Sequence, residues 1–235
     1  MQQIYDNLLK ALKGKNSLLI ATSNRWGNEF PKTTMLALML NKELGNRFID
    51  ASKLNIHHCE GNVSSSSLGN HCGEQKANLT DLEKNPSQLH RCWASINNPD
   101  DELWKISKLL LDEKINTIVF FGSIRWGKAN SIYAKLLERL TWLENRHTSF
   151  NEENILAKKQ CGIVLSGHNF NVEKALELEK ENLKYFGFNV KDELCYSKQW
   201  TLNIDDESLE GYQKEADEFK TWKKPFTASI IPLIK

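Results

Sequence analysis

The chain has 235 residues, 40% of them hydrophobic, which is enough for one α/β domain with a substantial core. Its 31 Lys and Arg nearly balance 30 Asp and Glu, and a net charge of +1 gives no electrostatic basis for binding nucleic acid or an anionic membrane. No apolar run approaches the ~18 residues of a bilayer span, Met1 to Lys15 carries charges and no secretory h-region, and five dispersed cysteines do not make a disulfide scaffold, so a cytoplasmic protein is expected.

Ser17 to Thr22 is apolar and compact and reads as a strand, followed by a polar turn containing Gly and Pro. Thr33 to Leu44 reads as a helix with Leu36, Leu40 and Leu44 on one face, and Arg47 to Asp50 as a short second strand. The stretch from about 55 to 98 lacks periodicity and is long for a loop, which marks an irregular, cap-like segment. A helix is expected after Asn98, with Asp100 as N-cap, Asp101 and Glu102 favouring the positive end of the dipole, and Leu103, Ile106 and Leu110 as its apolar face.

Ile115 to Phe121 is the clearest strand, apolar enough to be buried on both faces in the middle of a parallel sheet. It is expected to end at Gly122-Ser123 and feed a helix carrying Ile132, Leu136, Leu140 and Leu143. Gln160 to Leu165 is the next strand, ending at Ser166-Gly167, then a helix from Asn171 to Phe186 and a last strand from Phe188 to Cys195. A charged helix from Glu207 to Trp222 and an apolar tail from Pro225 to Ile234 complete a single domain over residues 1–235, with this C-terminal helix and tail at about 205–235. The alternation implies βαβ units and a sheet covered on both faces.

Ligands of open α/β sheets bind beyond the carboxyl ends of the strands, where strand order reverses. Three such ends are polar and Gly-bearing: Thr22 to Thr34, Gly122 to Ser131, and Ser166 to Asn171. The first can hold a phosphate against helix N–H groups with Ser23, Arg25, Lys32, Thr33 and Thr34, although its spacing is neither G-x-x-x-x-G-K-[ST] nor G-x-G-x-x-G. Arg-Trp-Gly occurs twice, as Arg25-Trp26-Gly27 and Arg125-Trp126-Gly127, in otherwise unrelated flanks. Both tryptophans fall where a flat aromatic ligand would stack, Gly127 would let backbone approach its ring, and an arginine there stabilises negative charge developing on it.

Ser23-Asn-Arg25 leading into Lys32-Thr-Thr34, Gly122-Ser-Ile-Arg-Trp-Gly127 followed by Lys135-Leu-Leu-Glu-Arg139, and Ser166-Gly-His168 together resemble the flavodoxin-like NAD(P)H-dependent FMN reductases. The nearest branch is the one related to iron–sulfur flavoproteins, which Asp100 to Glu102 also resembles, and the likeness covers roughly residues 17 to 195. The resemblance implies a flavodoxin-like three-layer sandwich on a five-stranded parallel sheet of order 2-1-3-4-5, with FMN in the crevice between the first and third strands. It places the FMN phosphate on Ser23, Arg25, Lys32, Thr33 and Thr34, and the isoalloxazine against Ser123, Ile124, Arg125, Trp126 and Gly127, with Ser166, Gly167 and His168 also approaching the flavin. NADPH or NADH would reduce the flavin, which would reduce FMN, a quinone or a similar small-molecule acceptor without a dedicated acid–base residue, in a homodimer. The first loop departs from the family in being longer, with Phe30-Pro31 inserted.

His57-His58-Cys59, His71-Cys72 and His90-Arg91-Cys92 concentrate potential metal ligands in the irregular segment, but none has C-x₂-C spacing. Only Cys59-Glu-Gly61 echoes the cysteine motif of the iron–sulfur branch, and Asn62 stands where its second cysteine would be. No metal is expected there, and the segment is read as a cap over the flavin. Two other functions fit the same fold: a non-enzymatic electron carrier, which the near-neutral charge disfavours, and a metal-binding or scaffold protein without flavin.

Overall fold

In a computed structural model of the chain, the described residues are 1–25, 30–63, 67 and 69–230, with side chains through Lys224. A helix that the sequence reading does not anticipate opens the chain: α1 (Gln2–Leu12) buries Ile4, Leu8 and Leu12 at helical spacing, together with Tyr5. Then follow β1 (Ser17–Ala21), α2 (Lys32–Leu44) and β2 (Arg47–Asp50), in close agreement with the expected limits. α3 (Trp93–Asn97) and α4 (Leu103–Leu110) precede β3 (Thr117–Arg125), β4 (Lys128–Ala129) and α5 (Ser131–Thr148). β5 (Gln160–Gly167), α6 (Val172–Tyr185), β6 (Asn189–Val190), β7 (Tyr196–Gln199) and α7 (Leu209–Ile230) complete the order.

The sheet has seven strands, ordered β2-β1-β3-β5-β6, with β4 antiparallel on β3 and β7 parallel to β5, in place of the expected five in the order 2-1-3-4-5. Two local features make the difference. β3 does not stop at Gly122-Ser123 but continues to Arg125 and turns back, with φ of 50° at Trp126 and 70° at Gly127. Positive φ at both central residues is the two-residue hairpin geometry that matches strand twist, so Lys128 and Ala129 pair with Arg125 and Ile124 before α5 begins. The expected last strand is also broken. β6 pairs with Gln160 and Cys161, a 3₁₀ turn at Asp192–Leu194 packs Leu194 against Gly162, and β7 resumes pairing at Val164. A Cβ on Gly162 would lie 2.2 Å from the Leu194 Cβ, which is why that position is bare.

Side chains alternate across the sheet into two cores. Leu18, Ile20, Ile118, Phe120, Cys161, Ile163 and Leu165 pack under α4, α5 and α6. Leu19, Val119, Phe121 and Val164 pack under α1, α2 and the buried Phe219 of α7. The result is an α/β/α sandwich. No helix among the described residues is long and apolar enough to cross a membrane. α7 runs on from the expected helix end at Trp222 to Ile230, and the rest of the apolar tail lies outside the described residues.

The expected cap-like segment wraps α4 and α5. The Asn145 amide donates to the Cys72 carbonyl at 3.3 Å, Arg146 to the Leu89 carbonyl at 3.2 Å, and a Cβ on Gly73 would strike the Trp142 carbonyl at 2.6 Å. Its centre is a fully buried ion pair, Arg139 with Asp101 at 2.8 Å, extended by Ser95 and the His57 carbonyl. Asp101 accepts from the Leu103 N–H at the start of α4, while Asp100, the expected cap, faces Asn55 and His57 instead. His90 is 1% exposed, tilted at 55° against Trp142 with ring centroids 5.0 Å apart, and both its ring nitrogens are unpartnered.

Burial pushes the His90 imidazole down to about 3. An unfolded His titrates near ~6.5, so below that pH the unfolded chain binds a proton that the folded chain refuses. Stability is therefore full above about pH 6.5 and falls as pH drops toward the folded value. Wild-type urea midpoints should decline between pH 6.5 and 4.5 and His90→Phe should flatten that decline, so parallel curves for the two proteins would contradict it.

Candidate functional site

β1 and β3 are adjacent and parallel, yet the helices that follow them lie on opposite faces, α2 with α1 and α7, α5 with α4 and α6. Their carboxyl ends therefore diverge and leave a crevice at the reversal point. Asn130 ties the two ends together under it. Its amide donates to the Thr22 carbonyl at 2.7 Å and its Oδ1 accepts from the Ser123 N–H at 3.1 Å, with only 3% of the residue exposed. A Cβ on Gly122 would approach the same Asn130 Oδ1 to 3.3 Å.

A cavity of about 300 Å³ opens above this tie, walled by all three polar loops. From the first loop come Asn24, Arg25, Pro31, Lys32 and Thr33; from the second, Ser123, Ile124 and Arg125; from the third, Ser166, Gly167 and His168. Nine of the expected site residues line it, Arg25, Lys32, Thr33, Ser123, Ile124, Arg125, Ser166, Gly167 and His168, and Ser23 and Thr34 adjoin the lining residue Thr33. Ser23 and Thr33 are 1% exposed and share a 3.1 Å hydrogen bond at the start of α2. Thr34 is fully buried with its hydroxyl unpartnered. Gly167 is bare because a Cβ would lie 2.8 Å from both Ile124 Cβ and Val172 Cγ2.

Two expected residues stand apart from the cavity. Trp126 is 92% exposed at the tip of the β3–β4 turn, and Gly127 backs onto Asn171 and Phe170 rather than an open face. The expected contact at Trp26 lies outside the described residues. None of the described residues of 55–98 lines the cavity, so the expected cap over this site is not there.

The cover comes from α7, whose Tyr212, Glu215 and Ala216 complete the wall. The Glu215 carboxylate accepts from the Lys32 ammonium with one oxygen and from His168 Nδ1 with the other. His168 also directs Nε2 to the Asp206 carbonyl at 3.0 Å and stacks on Tyr212 with ring centroids 3.9 Å apart. The hydrogen bond to Glu207, then burial, pushes the Tyr212 phenol up to about 12. Trp200 donates to Ser166 Oγ at 2.8 Å, and the Lys32 ammonium lies 4.9 Å from its ring centroid. Sequence reading had no route to these partners, since Glu215 is 183 positions from Lys32 and sits in an ordinary charged helix.

The donor set suits a phosphorylated aromatic ligand. α2 begins at Lys32 with no side-chain cap, so the amides of its first turn have no partner from a capping side chain. Around that end stand an ammonium, an imidazole and the hydroxyls of Ser23, Thr33 and Thr34, the last buried and unpaired. Cys59, Cys72 and Cys92 line a separate small cavity with Trp93, Glu138 and Arg139. Arg139 donates to Cys92 Sγ at 3.4 Å, and burial pushes the Cys72 thiol up to about 12. Among the described residues no group of three or more His, Cys, Asp or Glu is arranged to hold a metal ion.

Asn130→Ala leaves the buried Thr22 carbonyl and the Ser123 N–H without their partner. A loss of about 2 kcal/mol in unfolding free energy is expected from urea titration, and an unchanged midpoint would show that the two strand ends are not pinned there.

No family model matches the chain, and no curated protein matches its sequence. Among solved structures, RosB with a bound 8-demethyl-8-formylriboflavin-5′-phosphate intermediate superposes with a TM-score of 0.51 at 12% identity, over 94% of this chain and 80% of that one. The azoreductase AzrA gives 0.49 at 12% identity over 89% and 99% of the two chains. A quinone reductase of Klebsiella pneumoniae, itself described as provisional, gives 0.47 at 11% over 90% and 85%. With its parallel sheet between two helical layers and the likeness to RosB, the chain has the flavodoxin-like α/β fold.

Proposed function

We propose that the chain is a flavin-dependent oxidoreductase that binds FMN in the β1/β3 crevice and takes reducing equivalents from NADPH or NADH for a quinone or similar small acceptor. The observation that carries this reading is the convergence of the three polar loops on one cavity whose phosphate-type donors stand at the start of α2. RosB, which shares the fold, is seen with a riboflavin-5′-phosphate derivative, and this supports a flavin phosphate as the ligand.

On this reading Lys32, Thr33 and Thr34, with Ser23 and Arg25, hold the phosphate, and the α2 dipole favours its charge. Ser123, Ile124 and Arg125 line the ring side, Gly167 keeps the third loop close to Ile124, and Ser166 is oriented by the Trp200 N–H. Bound there, the flavin supplies the hydride and electron chemistry, while the protein supplies position and electrostatics. Arg125 places positive charge where it stabilises negative charge developing on the ring. The exposed side chains of Trp126, Leu202, Ile204 and Leu209, on segments that rim the crevice, support a second copy of the chain packing beside the site.

Purified protein mixed with FMN should acquire the yellow flavin band, NADPH or NADH should bleach it without oxygen, and a quinone should restore it. Flavin that binds but cannot be bleached would mean an electron carrier, and failure to bind flavin would overturn the reading. Arg125→Ala is expected to slow bleaching about tenfold or more with a smaller change in FMN affinity, so an unchanged rate would remove Arg125 from the ring side.

A further inference from the structure

We propose that Glu215 is an internal anion standing where the ligand's phosphate binds, and that it sets how strongly the site prefers a phosphorylated over an unphosphorylated flavin. The inference rests on the flavin reading above and extends it to a residue in a part of the chain that no polar loop announces.

The geometry begins with an ammonium, an imidazole and one carboxylate. Lys32 Nζ and His168 Nδ1 both meet Glu215, and the three side chains are only 18%, 10% and 11% exposed. His168 Nε2 faces the Asp206 carbonyl at 3.0 Å, which can only accept. Both ring nitrogens thus face acceptors, Nδ1 a carboxylate and Nε2 a carbonyl. One carboxylate takes direct contacts from both Lys32 and His168. A phosphate monoester carries about −1.5 to −2 at neutral pH and three strong acceptor oxygens, a closer match to this pair than one carboxylate. The uncapped first turn of α2, with Lys32 and Thr33 in the cavity wall, stands at the same place.

The attachment of α7 is divided in a way that lets Glu215 leave. Its later turns are fixed by apolar packing, with Phe219 4% exposed against Trp200 and Trp222, and Trp222 Nε1 donating to Gln2 at 3.1 Å. Its first turns have no such anchor. Leu209 is 88% and Tyr212 42% exposed, and they are held by the Glu215 contacts, the Tyr212 stack on His168 and a 2.6 Å hydrogen bond from Tyr212 to Glu207. Segments secured by a few polar contacts, without apolar packing, open at lower cost than those secured by a core. Phosphate binding therefore replaces Glu215 and lifts the first turns of α7, with Phe219 and Trp222 kept in place. A flavin without phosphate leaves the carboxylate where it is.

The test is the pair of dissociation constants for FMN and riboflavin, read by flavin fluorescence quenching on the full chain and on Glu215→Gln, which keeps the shape and removes the charge. Removing a competitor that holds most of the population raises apparent affinity by the inverse of the free fraction, and FMN should bind about tenfold tighter with riboflavin within about twofold. Glu215→Ala should give the same ordering, which guards against a folding artefact in either variant. Wild type that binds FMN, with variants that bind it no more tightly or that shift both flavins together, overturns this inference alone. Wild type and variants that bind neither flavin overturn it together with the flavin reading.

Discussion

The reversal of helix direction between β1 and β3 is the constraint on which the site depends. The two strands run parallel and in register from Ser17 beside Thr117 to Ala21 beside Phe121. Beyond that register the chain has to go to opposite faces, because α2 packs on Leu19 and Phe121 while α5 packs on Ile118 and Phe120. A crevice is the necessary consequence, and its floor consists of backbone groups with no further strand to pair with. Asn130 answers that need by serving as both donor and acceptor to the two strand ends at once. The bareness of Gly122 and Gly167 follows from the same closeness, since each added methyl would meet the neighbouring chain.

Electrostatics at this crevice are local and do not follow from the net charge of +1. The start of a helix, an ammonium and an imidazole are gathered there, and the chain meets them with a carboxylate brought from a different helix. Such a cluster, half-withdrawn from water, would be costly with its positive charges alone. Glu215 satisfies it from inside the molecule, and on the proposed reading an anionic ligand would satisfy it from outside. The choice between these is a difference of a few contacts, which makes the position a natural point for setting selectivity.

How much of this was legible in the sequence depends on the range of the interaction. The central strands were readable because the middles of β1, β3 and β5 (residues 18–21, 118–121 and 161–165) are buried on both faces and so carry no charged or strongly polar side chain. The site loops were readable because hydroxyls and glycines at strand ends are a local pattern. The β3–β4 hairpin was not, because its turn places Trp126 in the left-handed region, where Asn or Gly is the usual signal. The edge beyond β5 differs because the stretch Phe188 to Cys195 is bent by Leu194 seating against Gly162 of β5, a tertiary contact that no local pattern announces. The early helix α1 carries a plain helical pattern in Ile4, Leu8 and Leu12 and was within reach of periodicity. The partners Glu215, Tyr212 and Trp200 were beyond it, because nothing in a charged helix or an edge strand says which distant loop it will cover.

The two segments that lie outside the regular sandwich differ in what holds them, and that difference decides which one can serve the site. Residues 55–98 are bound to α5 through side chains donating to main-chain carbonyls, among them Arg139, which donates to the His57 carbonyl and to Ser95 while paired with Asp101, both side chains of that pair being 0% exposed. Separating that pair would leave charge unpaired in the interior, a cost of about 3–5 kcal/mol, so the segment is part of the body of the protein. The first turns of α7 are held by a few polar and ring contacts with no apolar core beneath them, and their displacement returns polar groups to water or to a ligand. A cover that has to yield to a substrate must be of the second kind. The irregular stretch, long and rich in His and Cys, draws attention in the sequence, but the physical requirements of a cover are met by the helix that looks unremarkable there.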